Sequence, residues 1–275
     1  MKVISICNHK GGSGKTTCAI HIAAALTLIG KKTMAIDLDP QGFMTRMLGL
    51  SEPPENKSAM TLFGPHARWE KQHVETLPDF DFIPSSTALT TGLKKYTRPT
   101  DVLWLKETLS ECHDYDYVVL DTSSSVTVYT LNALTASQSV IIPVVPEYLP
   151  VIGAEQTFQT CSLVKAKLNP DLELPLFLLT QVDGRKNIHE KYRRYLQGTY
   201  GAQVMKHAVR TNANLSEETL RGRSVFRSEP HSKGAVDFAN ITDELLRRLD
   251  HTFTFDEQPE NTFRIDKQWK PLVDL

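Results

Sequence analysis

The sequence has few cysteines, and they are not spaced for metal binding. Cys7, Cys18, Cys112 and Cys161 are scattered along 275 residues, without a C-x-x-C motif or an accompanying histidine pair. This pattern predicts buried free thiols in a reducing compartment rather than disulfides, a metal site or an iron–sulfur cluster. The chain also lacks a G-x-S-x-G elbow, and its nine histidines show no ligand spacing. Serine- or cysteine-nucleophile catalysis is therefore not supported.

Apolar runs long enough to cross a bilayer are also missing. The longest, Ile20 to Ile29, contains His21 and Thr27 and is far shorter than the roughly 20 residues that span a membrane. No targeting signal with a basic segment, an apolar stretch and a small-residue cleavage site opens the chain, because Lys2 leads directly into a strand-like run. We therefore expect a cytoplasmic protein.

The pattern of apolar residues predicts an α/β fold. At 275 residues and 40% hydrophobic, the chain can bury one large core. Short β-rich runs alternate with helical stretches, which favours right-handed βαβ units and a doubly wound, mostly parallel sheet flanked by helices. The candidate strands are Val3–Cys7, Thr33–Leu38, Phe80–Ile83, Tyr117–Asp121, Ser139–Val144 and Leu174–Thr180. The candidate helices are Lys15–Ile29, Val102–Glu111, Val126–Ala136, Glu155–Leu168, Ile188–Thr199 and Ala235–Leu249.

Two segments fall outside this alternation. The stretch from Gly49 to Pro78 has little periodicity and four prolines, so we expect an irregular excursion from the sheet. The tail after Leu249 is polar and contains Pro259 and Pro271. The expected organisation is one domain over residues 1–250 followed by a tail over 251–275.

A glycine-rich loop joins the first strand to the first helix. Residues 8–17 read N-H-K-G-G-S-G-K-T-T, and glycines between a strand and a helix let backbone N–H groups surround phosphate oxygens. Lys15 is placed to reach the β- and γ-phosphates, Thr16 to ligate Mg²⁺, and Thr17 to lie near the α-phosphate. The predicted loop contacts come from Gly11, Gly12, Ser13, Gly14, Lys15, Thr16 and Thr17. ATP with Mg²⁺ is the expected ligand.

This loop departs from the common pattern G-x-x-x-x-G-K-[ST]. His9 stands where the first glycine belongs, and Lys10 adds a second lysine five residues before Lys15. The result is the deviant Walker A form of the P-loop. A bare turn between strand and helix has no need of two lysines and two threonines at these spacings.

Three aspartates follow predicted strands at the edge where open α/β sheets bind ligands. Asp37 and Asp39 end the second strand, and Asp121 ends the apolar run that begins at Tyr117. Alone, the first two would be ordinary loop or cap residues. Beside a phosphate loop, such carboxylates can hold Mg²⁺ and orient an attacking water.

Taken together, these motifs resemble the ParA branch of the ParA/MinD ATPases over most of residues 1–250. The resemblance rests on the Lys10–Thr17 loop, Asp37–Gly42, Asp121-Thr122, Glu147-Tyr148 with Gly153, and Ser216-Glu217 with Ser232–Ala235. It implies an ATP-sandwich homodimer in which Lys10 reaches the partner's nucleotide and Asp39 positions the hydrolytic water. It also implies that Thr16, Asp37 and Asp121 organise Mg²⁺, and that Gln181 and Arg210 help to form the adenine pocket.

The family resemblance further implies that the ATP dimer binds DNA non-specifically and is released by partner-stimulated hydrolysis. A ParB-like or adaptor protein would be the activator, and the cargo a plasmid, a chromosome or a protein assembly. The charge distribution is consistent with DNA binding. The segment from Gly184 to Lys233 contains eleven Lys or Arg and four Glu, a local net charge of +7 in a chain of net charge −1. The DNA-binding candidates are Arg185, Lys186, Lys191, Arg193, Arg194, Arg221, Arg223, Arg227, Lys233 and Arg247.

Two features depart from the family pattern. The usual Asp-x-Pro-Pro is replaced here by Asp121 followed by Thr122 and three serines, which predicts a less rigid loop. The chain also begins at its first strand, so the helix-turn-helix extension of some plasmid partition ATPases is expected to be absent, and with it operator-specific repression.

Three alternatives stay open within the same superclass. Membrane cycling of the MinD type would need a basic amphipathic C-terminal helix, whereas the tail Asp256–Leu275 is acidic and proline-containing. An iron–sulfur reductase would need cysteines where Ser123–Ser125 stand. A metabolic ATP-dependent enzyme would need a substrate pocket that no motif identifies.

Overall fold

A computed structural model describes residues 1–71, 74–212, 215 and 223–250. Its centre is one seven-stranded sheet in the order β3-β4-β2-β5-β1-β6-β7, parallel except for the pairing of β3 with β4. The strands are β1 Lys2–Ile6, β2 Thr33–Asp37, β3 Glu75–Thr76, β4 Asp81–Ile83, β5 Tyr117–Asp121, β6 Ser139–Val144 and β7 Leu176–Leu179. The α/β prediction is thereby confirmed, and the antiparallel edge strand β3 is an addition to it.

Helices cover both faces of this sheet. They are α1 Lys15–Leu28, α2 Phe43–Met47, α3 Ala88–Lys95, α4 Trp104–Ser110, α5 Val128–Ala136, α6 Tyr148–Lys167, α7 Asn187–Tyr200, α8 Val225–Ser228 and α9 Lys233–Leu249. Among the described residues, no helix is both long enough and apolar enough to cross a membrane.

Alternating side chains divide the core between the two faces. In β1, Ile4 and Ile6 pack towards α1 and α9, whereas Val3 joins the opposite cluster with α4 and α5. A third cluster lies between β6, β7 and the helices α6 and α7. Because parallel strands are covered on both faces, they are buried along nearly their whole length, so functional side chains are expected at or beyond the strand ends.

The helix α6 begins earlier than predicted. Its first residue is Tyr148 rather than Glu155, and Pro150 lies in its first turn. Proline is tolerated there because the first backbone N–H groups of a helix have no intrahelical acceptor. The helix can therefore extend seven residues towards the N-terminus of the predicted start at Glu155.

The proline-rich excursion is partly ordered by short helices. It holds 3₁₀ helices at Glu55–Lys57 and Ala59–Leu62, and Ser58 caps the second of them by accepting a hydrogen bond from the Met60 N–H. The helix α3, which follows it along the chain, was not predicted because Gly92 and two threonines obscure its period. The expected tail over 251–275 lies outside the described residues.

All four cysteines are buried and unpaired. Burial raises the pKa of the Cys7 thiol to about 11, so the group stays protonated at neutral pH. The prediction of buried free thiols is confirmed.

Candidate functional site

The phosphate loop begins where β1 ends and closes at the N-terminus of α1. Gly12 and Gly14 adopt positive φ angles of 74° and 88°, a region that side-chain-bearing residues rarely enter. Gly14 is also the N-cap of α1. The chain between them can therefore turn its N–H groups towards one point, as an anion site at a helix N-terminus requires.

The two lysines of the loop lie in different environments. Lys15 is 9% exposed, and its ammonium donates a hydrogen bond to the Lys10 carbonyl oxygen over 3.4 Å. Burial lowers the pKa of Lys15, against the opposing charge of Asp121. Lys10 is exposed at the mouth of the loop. The buried cation thus lies where it can neutralise an anion held by the loop, whereas the exposed one lies at the mouth of the loop.

Asp37 and Asp121 lie side by side on neighbouring parallel strands. They are paired in register on β2 and β5, and both are fully buried. Burial raises the pKa of Asp121 well above its ordinary value, and the nearby charge of Asp37 adds to the shift. Neighbouring buried carboxylates repel each other when both are ionised, so a bound cation would stabilise their charged forms.

Thr16 connects the phosphate loop to this pair. Its hydroxyl donates a hydrogen bond to Asp121 Oδ2 over 2.8 Å. The other oxygen, Asp121 Oδ1, is buried and has no hydrogen-bond partner among the described residues. An orphaned carboxylate oxygen beside a threonine hydroxyl suits Mg²⁺, which takes one or two protein ligands and completes its shell with phosphates and water.

Asp37 is held by hydrogen bonds from its own loop. Oδ2 accepts from the N–H and the hydroxyl of Thr45, and Oδ1 accepts from the Asp39 N–H. These bonds lower the pKa of Asp37, but burial outweighs them and raises it to about 6. Asp39 is half-buried, and its carboxylate accepts a hydrogen bond from the Gln41 N–H over 2.9 Å.

The loop is fastened on its other side to α6. Asn8 donates to the Pro143 carbonyl over 2.6 Å and accepts from the Lys10 N–H over 2.8 Å. Thr157 accepts from the His9 N–H over 2.9 Å. The sequence gives no signal for Thr157, because an isolated threonine inside a helix carries no motif. Its contact depends on how α6 packs.

Gln181 and Arg210, the predicted adenine-pocket residues, lie in adjoining clefts. Gln181 has a positive φ of 53° and donates to the Gly12 carbonyl over 2.9 Å. It lines a cleft of about 320 Å³ together with Lys10 and the loop glycines. Arg210 lies in the neighbouring cleft and makes a bidentate ion pair with Asp237. Gln181 therefore meets the phosphate loop directly, whereas the Arg210 guanidinium is engaged with α9.

The basic residues predicted to bind DNA are divided between paired and unpaired positions. Arg185, Lys186 and Arg194 form ion pairs with Asp183, Glu147 and Glu190, respectively. Arg227 pairs with Asp79 near β4, and Arg247 with Asp243. Lys191 and Arg223 are exposed. Arg221 lies outside the described residues.

Arg193 and Lys233 share one polar cleft. It measures about 520 Å³ and is also lined by Arg185 and Arg210. Across the part of the chain that the structure describes, neither Arg193 nor Lys233 has an acidic partner within ion-pair distance. Among the members of the predicted cluster that the structure describes, these two side chains are brought together in one cleft without an acidic partner.

The loop after Asp121 is closed by hydroxyl groups instead of prolines. The Ser125 carbonyl accepts hydrogen bonds from Ser123 over 3.1 Å and from Thr130 over 2.7 Å. Thr127 caps the following helix α5. Side-chain hydrogen bonds thus supply constraints that the missing prolines would otherwise provide.

Comparisons with known proteins agree with this geometry. A family model described as an AAA domain matches residues 1–174. The chain is 33% identical over 248 residues to the sporulation initiation inhibitor protein Soj of Bacillus subtilis, covering 89% of this chain and 98% of that protein. It is also 33% identical over 250 residues to the chromosome partitioning protein ParA of Myxococcus xanthus, covering 90% and 88%.

Solved structures share the whole architecture. Cobyrinic acid a,c-diamide synthase from Mycobacterium smegmatis, solved with bound ADP and magnesium, superposes with a TM-score of 0.77 at 28% identity. The match covers 94% of this chain and 100% of that one. A neighbour with this fold thus binds a nucleotide with magnesium.

Proposed function

Since the chain belongs to the ParA/MinD-type P-loop ATPase family, we propose that it is a Mg²⁺-dependent ATPase that dimerises on ATP. In this proposal the ATP dimer binds DNA without sequence preference, and a ParB-like or adaptor protein stimulates slow hydrolysis and release. The cycle positions a plasmid, chromosome or protein cargo on the nucleoid. The name of the Myxococcus xanthus relative, a chromosome partitioning protein, supports the positioning role.

The observation that carries the proposal is the pair of lysines in one loop. Lys15 is buried beside Asp121, where its charge can neutralise phosphate oxygens of a nucleotide held by the loop N–H groups. Lys10 is exposed at the mouth of the same cleft. An exposed lysine whose backbone N–H is held by the buried side chain of Asn8 suits a nucleotide bound by a second copy of the chain.

In this proposal, hydrolysis depends on the carboxylates at the carboxyl ends of β2 and β5. Bound Mg²⁺ would neutralise charge on the β- and γ-phosphates, and Thr16, Asp37 and Asp121 are the residues to hold it. Asp39 is half-exposed at the same edge of the sheet and is proposed to orient the attacking water. Its half-exposed position leaves room for a water beside the carboxylate.

Dimerisation is tested by light scattering after size exclusion, with ATP, ADP or no nucleotide. The wild type should form dimers when ATP and Mg²⁺ are present, and should stay monomeric with ADP or without nucleotide. Lys10→Ala should bind nucleotide yet stay monomeric, and Asp39→Ala should hold a long-lived ATP dimer. Nucleotide-dependent dimers and normal turnover in Lys10→Ala would show that this lysine does not act across an interface.

DNA binding is tested with arbitrary duplexes over a range of salt concentrations. Because affinity for phosphates is driven by counterion release, binding should require ATP and fall steeply as salt rises. Two unrelated duplex sequences of equal length should bind alike. Binding that is absent, or insensitive to salt, would contradict the DNA-dependent cycle.

The second candidate is a metabolic ATP-dependent enzyme. It is favoured by the diamide synthase name of the structural neighbour at 28% identity. Such an enzyme would turn over ATP in proportion to an acid substrate and would not need DNA or a dimer. Turnover that depends on a small-molecule acid, in the absence of DNA, would therefore select this alternative.

A further inference from the structure

A set of buried hydroxyl groups lies beneath the loop that carries Asp37 and Asp39. Thr45 is 2% exposed and Ser85 is 1% exposed. Ser85 follows the end of β4, which pairs with β2 through Ile36 and Ile83. Burying a hydroxyl group costs free energy unless the group is hydrogen-bonded. The hydrogen bonds of Thr45 and Ser85 therefore indicate what these side chains do.

Ser85 and Thr45 join the two aspartates into one network. The Ser85 hydroxyl donates to the Asp39 carbonyl over 2.6 Å, and the Ser85 N–H donates to the Thr45 hydroxyl over 2.9 Å. The Thr45 hydroxyl in turn donates to Asp37 Oδ2 over 2.8 Å. Because the Thr45 hydrogen is committed to a carboxylate, its oxygen can serve as the acceptor. Every bond then has a fixed direction.

Ser85 is itself held from outside the site. The preceding carbonyl, that of Pro84, accepts a hydrogen bond from the Ala59 N–H over 2.8 Å. Glu52 accepts from both the N–H and the hydroxyl of Thr87, over 2.7 and 2.6 Å. A side chain can position another group only if it is itself held in place. The irregular stretch from Gly49 to Pro78, which contains Glu52 and Ala59, holds the segment around Ser85.

We propose that Ser85 and Thr45 are positioning residues for ATP hydrolysis. Ser85 fixes the backbone of Asp39, and with it the direction of the carboxylate that is proposed to orient water. Thr45 fixes the Asp37 carboxylate at the magnesium position. The inference deepens the proposed function and rests on the role assigned to Asp39.

The two residues should have separable effects. Ser85→Ala removes the bond to the Asp39 carbonyl but leaves the bonds to Asp37. It should slow single-turnover hydrolysis about tenfold to a hundredfold, as a small misplacement of a reacting group does, with nucleotide affinity changed less than about threefold. Thr45→Val removes a bond to a metal-site carboxylate and should raise the Mg²⁺ concentration for half-maximal nucleotide binding about tenfold.

The experiment follows binding of a fluorescent ATP analogue over a Mg²⁺ titration, and hydrolysis in a single turnover. Ser86→Ala is the matched control, since its buried hydroxyl donates to Ser58 instead of the aspartate loop. It should keep the wild-type turnover rate. Thr45→Ser, which restores the hydroxyl, should recover the Mg²⁺ dependence that Thr45→Val loses. Thermal unfolding confirms that each variant is folded.

The outcomes separate this inference from the proposed function. Wild-type single-turnover rates in Ser85→Ala, while Asp39→Ala is inactive, would overturn the positioning role and leave the proposed function standing. Equal slowing in Ser86→Ala and Ser85→Ala would also overturn it, since it would reflect general loss of packing. If Asp39→Ala hydrolyses ATP normally, the assignment of Asp39 fails, and the role of Ser85 fails with it.

Discussion

Gly153 of α6 lies directly against the side chain of Lys10. A β-carbon built on Gly153 would be 3.1 Å from Lys10 Cβ, closer than ordinary van der Waals contact between carbon atoms. The nearest part of Lys10 is the base of its side chain, which cannot swing aside as a flexible tip could. The glycine therefore sets how closely α6 approaches the phosphate loop, and Lys10 takes its direction from that contact.

Gly153→Ala should weaken ATP-dependent dimerisation, because the added methyl group displaces Lys10 at its base. We expect a rise of about tenfold in the protein concentration needed for dimers, measured by light scattering with ATP and Mg²⁺. Gly198→Ala in α7 is the matched control, since nothing lies within 4 Å of its β-carbon position. That variant should dimerise normally and gain about 0.5–1 kcal/mol of stability. Equal dimerisation in both variants would contradict the role of the Gly153 contact.

His21 should make the fold sensitive to mild acid. Its ring is fully buried, stacks on Phe238 at 4.7 Å, and bonds to the Thr17 carbonyl through Nδ1. Burial lowers its pKa to about 4. Between about pH 6.5 and 4, the histidine is therefore protonated in the unfolded chain but neutral in the folded protein. The free energy of unfolding falls as the pH drops through that range.

The variant His21→Phe should lose this dependence while keeping an aromatic ring against Phe238. Between pH 7.5 and pH 5 we expect the free energy of unfolding of the wild type to fall by about 2 kcal/mol more than that of the variant. The comparison is made by urea unfolding at the two pH values. Other titrating groups, including Asp37, act on both proteins and cancel. Parallel pH dependences would show that His21 is not kept neutral.

The ion pair between Arg210 and Asp237 should contribute to stability. Asp237 is 6% exposed and accepts from the Arg210 N–H as well as from its guanidinium. Asp237→Ala should destabilise the protein by about 1–3 kcal/mol, because the charge-assisted hydrogen bonds of a buried carboxylate are lost and the Arg210 N–H loses its acceptor. Asp243→Ala is the control: it breaks an exposed pair with Arg247 on the same helix and should cost less than about 0.5 kcal/mol. Thermal unfolding measures both.

Arg193 and Lys233 should carry part of the DNA affinity. If each contacts one phosphate, the double variant Arg193→Ala/Lys233→Ala should reduce the slope of log affinity against log salt by about 1.8. Lys31→Ala/Lys32→Ala removes the same charge from the exposed turn between α1 and β2, away from the cleft that Arg193 and Lys233 line, and should leave the slope unchanged. Fluorescence anisotropy with ATP and a labelled duplex measures both. Equal losses would indicate only a net-charge effect.

The fold and the centre of the site could be predicted because their signals are local. Continuous apolar runs indicated buried parallel strands, and the glycine-lysine-threonine spacing indicated a phosphate loop between β1 and α1. Asp37 and Asp121 followed from their positions at strand ends, since parallel strands bring their carboxyl ends to one edge. The structure then pairs them in register on β2 and β5.

The supporting residues could not be predicted because their partners are distant along the chain. Ser85 contacts a carbonyl 46 residues away, and Thr157 contacts a backbone N–H 148 residues away. Hydroxyl side chains have no periodicity that would mark such contacts. The prediction of DNA-binding residues from charge was incomplete for a similar reason. The sequence located the basic cluster, but only the structure distinguishes Arg194, which pairs with Glu190, from Arg193.

The hydrogen bond from Thr16 to Asp121 has a consequence for the entropy of nucleotide binding. A hydroxyl group has one hydrogen and two lone pairs, and here the hydrogen is already committed to a buried carboxylate. The oxygen can thus coordinate a cation without a change in the Thr16 rotamer. Folding has already removed the torsional freedom that binding would otherwise remove, so this ligand should add little entropic cost to magnesium association.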